Sequence, residues 1–75
     1  MDKLAERMQQ RLNSDPRVSR FEIQVIPNCQ TIELKGKVRT FYDKQMAQEI
    51  IKPLLEEENE TRRLVNNVVV PYNKN

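Results

Sequence analysis

The sequence predicts an α+β fold: an αββαβ two-layer sandwich with both helices on one face of a three-stranded mixed sheet. Three observations indicate this fold. Residues 2–13 and the segment after Thr40 repeat apolar side chains at helical spacing, whereas residues 20–26 and 31–39 alternate apolar and polar side chains. Residues 64–70 are rich in the β-branched side chains that favour strands. Because every element has one apolar side, helices and sheet bury those sides against each other.

The first helix is predicted over residues 2–13. Its apolar stripe consists of Leu4, Ala5, Met8 and Leu12, and charged or amide side chains occupy the remaining positions. The Asp15-Pro16 step ends it, because a residue before proline is pushed out of the helical region.

A β-hairpin follows. On its first strand, residues 20–26, Phe21, Ile23 and Val25 are predicted to face inward, and the turn is placed at residues 27–30. The second strand, residues 31–39, is predicted to direct its apolar side chains inward, together with Gly36. This is the only glycine of the chain, and glycine inside a strand marks a bulge or a close approach. We therefore expect a helix to pack tightly over it.

The second helix is predicted to begin after Thr40, an N-cap residue with Asp43 three positions on. Pro53 lacks the amide that would bond to the carbonyl of Glu49. We therefore expect a kink, an end near Lys52 or a new turn at Pro53. Residues 56–60 are predicted to form a polar connection.

The last strand is predicted over residues 64–70, parallel to the second and joined to it by a right-handed crossover. Asn66 falls on its inward side, so it needs a hydrogen-bond partner there. Pro71 ends the strand, and the tail from about residue 72 is predicted to fray.

The composition indicates a single domain over residues 1–75 and disfavours an enzyme. The chain has 75 residues, a net charge of +2, no histidine and one cysteine, Cys29. The commonest general base is missing, and one cysteine makes neither a disulfide nor a zinc cluster. We expect no catalytic residue, no metal, no cofactor and no small-molecule substrate.

No signal peptide or membrane-spanning run is recognisable in the sequence. Two interpretations of its location stay open: a cytoplasmic chain, or a piece of a longer envelope protein.

Several segments resemble the BON domain, the family named after bacterial OsmY and nodulation proteins. The matching segments are Leu12–Val18 with Asp15-Pro16, Phe21–Val25, Ile32–Val38 around Gly36, and Leu64–Val70 around Asn66. The chain departs from the family in its hairpin turn, Asn28-Cys29-Gln30, and in the connection after Pro53. The resemblance implies an αββαβ fold with Asp15, Pro16, Gly36 and Asn66 as structural positions. It also implies a non-catalytic role in phospholipid or cell-wall binding and in assembly at the bacterial envelope.

The outer face of the predicted sheet is the candidate interaction face. It combines an apolar middle with a basic side, and its residues are Ile26, Lys35, Lys37, Arg39, Val65 and Val69. We expect a homo-oligomer or a partner protein bound through this face or through the two unpaired sheet edges. The alternative for the basic residues is that they only solvate the strand.

Two other partners are considered. The resemblance, together with Lys35, Lys37, Arg39 and Lys44, suggests weak, salt-sensitive binding to an anionic membrane surface. The αββαβ order also occurs in KH-like RNA-binding domains. The chain lacks a Gly-x-x-Gly loop and a stacking array of aromatic side chains, which disfavours nucleic acid.

Overall fold

The computed structural model describes residues 2–71, and the tail from residue 72, predicted to fray, lies outside the described residues. Two helices and three strands follow one another in the predicted order, so the α+β fold class is confirmed. The elements are α1 (Lys3–Ser14), β1 (Gln24–Pro27), β2 (Thr31–Lys37), α2 (Phe41–Glu57) and β3 (Arg63–Val69), with a 3₁₀ turn at Ser19–Phe21.

The sheet has the order β1-β2-β3, so β2 is central and β1 and β3 form the two edges. β1 pairs with β2 antiparallel, and β2 pairs with β3 parallel, as the crossover through α2 requires. Val25 lies opposite Leu34, and Leu34 lies opposite Asn66, so these three positions share the inward face.

The core lies between the sheet and the two helices. The side chains that are at most 2% exposed come from α1 and the loop after it, from the sheet and its flanks, and from α2. They are Met8, Leu12, Val18, Ile23, Ile32, Leu34, Val38, Ala47, Ile51, Leu54 and Val68. Each large apolar side chain of this kind contributes about 1.5 to 3 kcal/mol through its burial.

α1 begins and ends at polar caps. The Asp2 carboxylate accepts a hydrogen bond from the Ala5 amide at 3.0 Å, which satisfies a free donor of the first turn. α1 ends at Ser14, and Asp15 follows as the C-cap in extended conformation, at the Asp-Pro step. The predicted helix is therefore shifted by one residue at each end.

The prediction that the first strand begins at residue 20 is wrong. Ser19–Phe21 form a 3₁₀ turn, Glu22 adopts the left-handed conformation (φ 54°), and the strand begins at Gln24. Phe21 is half-buried, and the Arg20 guanidinium lies 4.4 Å from the centroid of its ring. The alternation of Phe21, Ile23 and Val25 predicted one continuous strand because all three side chains pack against the core. Ile23 and Val25 do so from β1 and its entry, whereas Phe21 does so from the 3₁₀ turn.

The close approach predicted at Gly36 exists, but the neighbour is the chain that leads into β1 and not a helix. A Cβ atom added to Gly36 would lie 3.2 Å from the Cα atom of Ile23. The φ angle of Gly36 is +156°, which side-chain-bearing residues rarely adopt. Gly36 therefore lets the entry of β1 lie directly against β2.

α2 continues through Pro53 to Glu57, so the predicted end near Lys52 is wrong. Pro53 and Glu49 are both exposed, so water can reach the helix where the amide is missing. The polar connection is also shorter than predicted, since Glu56 and Glu57 still belong to the helix. At the other end, Thr40 is the predicted N-cap, and its hydroxyl accepts from the Asp43 amide at 3.0 Å.

None of the helices within residues 2–71 is both long enough and apolar enough to cross a membrane.

Asn66 has the partners that its inward position requires. Its side-chain amide donates to the Lys44 carbonyl at 3.1 Å and to Oε1 of Gln48 at 3.2 Å. Its Oδ1 atom accepts from the Val68 amide at 3.2 Å. Asn66 thereby ties the middle of β3 to the first half of α2.

Candidate binding surface

The register places five of the six candidate residues on the sheet face that points away from the helices. Glu33 lies between Ile26 of β1 and Val65 of β3. Lys35 and Lys37 follow on β2, at alternate positions on the same side of the strand. Lys37 lies opposite the fifth of these candidate residues, Val69 of β3. Arg39 lies beyond the end of β2, in the connection to α2.

The outer face has a mixed middle rather than the apolar middle suggested by the alternation. Glu33 occupies the central position between Ile26 and Val65, and its carboxylate accepts a hydrogen bond of 2.7 Å from the Asn67 side chain. Val69 is 49% exposed, whereas Ile26 and Val65 are half-buried. The face therefore presents isolated apolar side chains between polar ones.

A basic groove lies where β2 ends. Arg20, Lys37 and Arg39 line it together with Phe21, Glu22 and Val38. All three basic residues are exposed. Sequence reasoning identified Lys37 and Arg39 but missed Arg20, because residue 20 was assigned to a strand; the 3₁₀ turn brings it beside them. Three basic side chains and one carboxylate, that of Glu22, therefore line the groove.

The outer edge of β1 is closed by the Gln9 side chain of α1. Its Nε2 atom donates to the Ile23 carbonyl and its Oε1 atom accepts from the Val25 amide, both at 2.8 Å. The carboxamide thereby occupies one donor and one acceptor, as a neighbouring strand would. The next residue on this edge, Pro27, has no amide to donate. No sequence pattern indicated this role of Gln9.

In the middle of β3, the main-chain groups that point away from β2 have no hydrogen-bond partner within residues 2–71. Arg63 donates to the Gln30 carbonyl and Val69 accepts from the Val38 amide, so the odd-numbered residues of β3 face β2. Leu64 and Asn66 then direct their main-chain N–H and C=O groups away from the sheet. Within residues 2–71, no hydrogen bond reaches these four groups. We call the outward groups of Leu64 and Asn66 the β3 edge.

An ionic cluster fixes the start of β3 against the start of α1. Arg62 contacts Asp2 at 2.6 Å and Glu60 at 2.9 Å. The hydrogen bond from Arg62 lowers the pKa of the Glu60 carboxyl to about 2 and also lowers the pKa of Asp2. Both carboxylates raise the pKa of Arg62 in turn. The cluster therefore stays charged across the neutral range.

A second ion pair lies at the end of α1. The Arg17 guanidinium donates to both oxygens of the Asp15 carboxylate, at 2.9 and 2.6 Å. This bidentate contact and the Arg17 amide lower the pKa of Asp15 to about 2. The geometry assigns Asp15 a role in shaping the loop after α1.

Other exposed groups lie away from the sheet. Phe41 and Tyr42, in the first turn of α2, are 59% and 67% exposed. Cys29 is exposed in the hairpin turn with a free thiol. Across the described chain, no three histidine, cysteine, aspartate or glutamate side chains gather as a metal site would require.

Comparison of the chain with models of protein families, with curated proteins and with solved structures finds no match.

Proposed function

We propose that this chain is a non-catalytic assembly module that takes up a partner β-strand at the β3 edge. The observation that carries the proposal is the difference between the two edges. Gln9 and Pro27 leave β1 without an outward donor over its length, whereas Leu64 and Asn66 keep an outward donor and acceptor each. Strand addition to such an edge provides main-chain hydrogen bonds with defined direction and spacing.

The side chains beside the β3 edge support binding with a preferred sequence. An added strand would continue the outer face next to Val65, Asn67 and Val69. Two of these side chains are apolar, and cross-strand neighbours of such side chains each contribute roughly 0.2 to 1 kcal/mol. Main-chain bonds would supply affinity, and these side chains would select the partner.

This role agrees with the assembly function that the resemblance to BON domains implies. It requires no cofactor or reactive side chain. The proposed role requires only an extended partner segment whose main chain can form hydrogen bonds with Leu64 and Asn66.

The experiment is a selection of random ten-residue peptides on the wild-type chain, followed by amide NMR spectra of the isotope-labelled chain with each peptide that binds. The proposal predicts extended, β-branched peptides that shift the amides of Leu64 and Asn66 and leave Val25 unchanged. A Val65→Lys variant should bind them weakly, and a Val69→Lys variant should bind more strongly than Val65→Lys. Peptides that shift the β1 amides instead would contradict the proposal.

The basic groove favours a second candidate function, attachment to an anionic membrane surface. Arg20 adds to Lys37 and Arg39 at one end of the molecule. Each basic group near an anionic lipid surface contributes about 1 kcal/mol. Three such groups support reversible and salt-sensitive attachment.

Flotation with vesicles of phosphatidylglycerol and phosphatidylcholine tests this second function. Wild-type protein should float at low salt and stay behind at high salt, while an Arg20→Glu/Lys37→Glu variant stays behind at both. Lys52→Glu, at an exposed position of α2 that does not line the groove, is the control. It changes the net charge by as much as one of the two groove substitutions. If a single-stranded RNA oligonucleotide binds the groove and vesicles do not, the membrane function is wrong and the KH-like alternative gains support.

A further inference from the structure

We infer that the strand that pairs at the β3 edge is β3 of a second copy, antiparallel, with Val65 opposite Val65 of that copy. This inference rests on the proposed function and names its partner. Antiparallel pairing of a strand with itself creates a twofold axis, so each copy offers the same surface to the other. The product is a dimer with a continuous six-stranded sheet.

The unused main-chain groups select this register. In it, Leu64 of each copy pairs with Asn66 of the other. A hydrogen-bonded pair in an antiparallel ladder exchanges two N–H···O=C bonds, so the two pairs use all the outward donors and acceptors of both residues. The free groups of the β3 edge are therefore complementary to themselves.

A neighbouring register fits less well. If Asn66 lay opposite Asn66, the flanking pairs would join Leu64 to Val68. The Val68 amide already donates to the Asn66 side chain at 3.2 Å. This register would have to break that bond, whereas the register centred on Val65 leaves it intact.

The side chains on the outer face are compatible with the same register. Val65 meets Val65 at the axis, where a non-hydrogen-bonded pair brings side chains close together. Arg63 lies opposite Asn67 on both sides of the axis, so no like charges face each other. On the inward face, Leu64 lies opposite Asn66.

Cysteine cross-linking of the full chain tests the register, with Cys29→Ser as background so that the native thiol cannot react. The paired α-carbons of a non-hydrogen-bonded site are about 4.5 Å apart, which is within the range of a disulfide. Val65→Cys should therefore form a disulfide-linked dimer under mild oxidation. In this register two Val69 residues are offset by eight positions along the strands, roughly 27 Å, so Val69→Cys cannot cross-link within the dimer. At least a tenfold difference in linked fraction is expected.

Sedimentation of the protein without added cysteines provides the second measurement. Wild-type protein and Val69→Lys should form dimers as concentration rises, whereas Val65→Lys should stay monomeric with an unchanged circular dichroism spectrum. Equal cross-linking of the two cysteine variants, or absence of linkage at Val65, would overturn the inference. If linkage is absent while selected peptides still shift Leu64 and Asn66, the second copy is the wrong partner and strand addition stands. If the peptides shift other residues, both proposals fail.

Discussion

The two edge strands of this sheet differ in how their outward main-chain groups are hydrogen-bonded. On β1, Gln9 reaches across from α1 and occupies both the Ile23 carbonyl and the Val25 amide. On β3, within residues 2–71, the one outward amide with a partner belongs to Val68, and that partner is the side chain of Asn66 in the same strand. The Gln9 carboxamide comes from another element and occupies both a donor and an acceptor of its edge. The Asn66 carboxamide lies two residues from its partner and occupies one donor only.

The difference between the two edges matters because a small domain has to avoid unwanted pairing of its edge strands. Exposed edges invite association unless side chains, prolines or charges protect them. β1 has two such protections, Gln9 and Pro27. β3 carries a charge at its first residue, Arg63, and Arg62 precedes it, but the rest of the strand, from Leu64 to Val69, contains no charged residue. Within the described residues, the β3 edge is therefore the one that lacks such protection over its middle.

The largest expected effect comes from the glycine that lets β1 lie close to β2. Gly36→Ala should destabilise the fold by about 2 kcal/mol, because its Cβ atom would crowd Ile23 at an unfavourable φ angle. It should also weaken the closure of β1, since the Ile23 carbonyl is one of the groups held by Gln9. Urea unfolding of this variant and of Lys35→Ala, its exposed neighbour, measures the effect. A loss at Gly36 no larger than that at Lys35 would show that the close approach is unimportant.

Removal of the Gln9 carboxamide should have an effect of similar size. Gln9→Met keeps the length of the side chain but leaves the Ile23 carbonyl and the Val25 amide without protein partners. Two hydrogen bonds at about 1 kcal/mol each suggest a loss of about 2 kcal/mol. Association at high concentration should increase, because the β1 edge becomes available. Gln10→Met, at an exposed position of the same helix, is the control, and similar values for both variants would refute the role of Gln9.

Asn66 provides a comparable perturbation on the opposite edge. Asn66→Ala removes two bonds to α2 and releases the Val68 amide, and about 2 kcal/mol of stability should be lost, since each bond contributes roughly 0.5 to 1 kcal/mol. The matched variant Asn67→Ala removes only an exposed contact with Glu33 and should lose less than about 0.5 kcal/mol. Thermal unfolding of both variants measures this difference. Equal losses would mean that the inward position of Asn66 does not matter.

Acid should have the smallest effect, through the cluster that anchors β3. The pKa of Glu60 is about 2 in the folded chain and about 4.3 in an unfolded one. A carboxyl whose pKa is lowered by folding stabilises the fold above its unfolded pKa, and this contribution disappears as the pH falls from about 5 toward 2. Glu60→Gln should therefore melt below wild type at pH 7 and converge with it near pH 2. Glu56→Gln, on the exposed end of α2, should follow the wild-type curve throughout.

The elements that sequence predicted well are those whose burial follows a simple period. Ile32, Leu34 and Val38 alternate with Lys35 and Lys37, so the inward and outward faces of β2 followed from spacing alone. The need of Asn66 for a partner followed from its inward position. The identity of that partner did not, because it depends on how α2 lies across the sheet.

Features that depend on contacts between distant segments could not be predicted. Phe21 continues the alternation of Ile23 and Val25, yet it lies in a 3₁₀ turn because Glu22 reverses the chain. That turn also brings Arg20 to the groove. Gln9 has no local signal, since its partners lie 14 and 16 residues away. The residues that share the outer face of the sheet were therefore predictable, whereas the difference between its two edges was not.

Residue-resolved amide hydrogen exchange in dilute solution tests the contrast between the two edges most directly. The Val25 amide, held by Gln9, should exchange as slowly as the amides between β1 and β2, while those of Leu64 and Asn66 should exchange rapidly and slow down as the concentration rises. Rapid exchange at Val25, or protection of Leu64 and Asn66 that is already complete in the dilute monomer, would contradict the account.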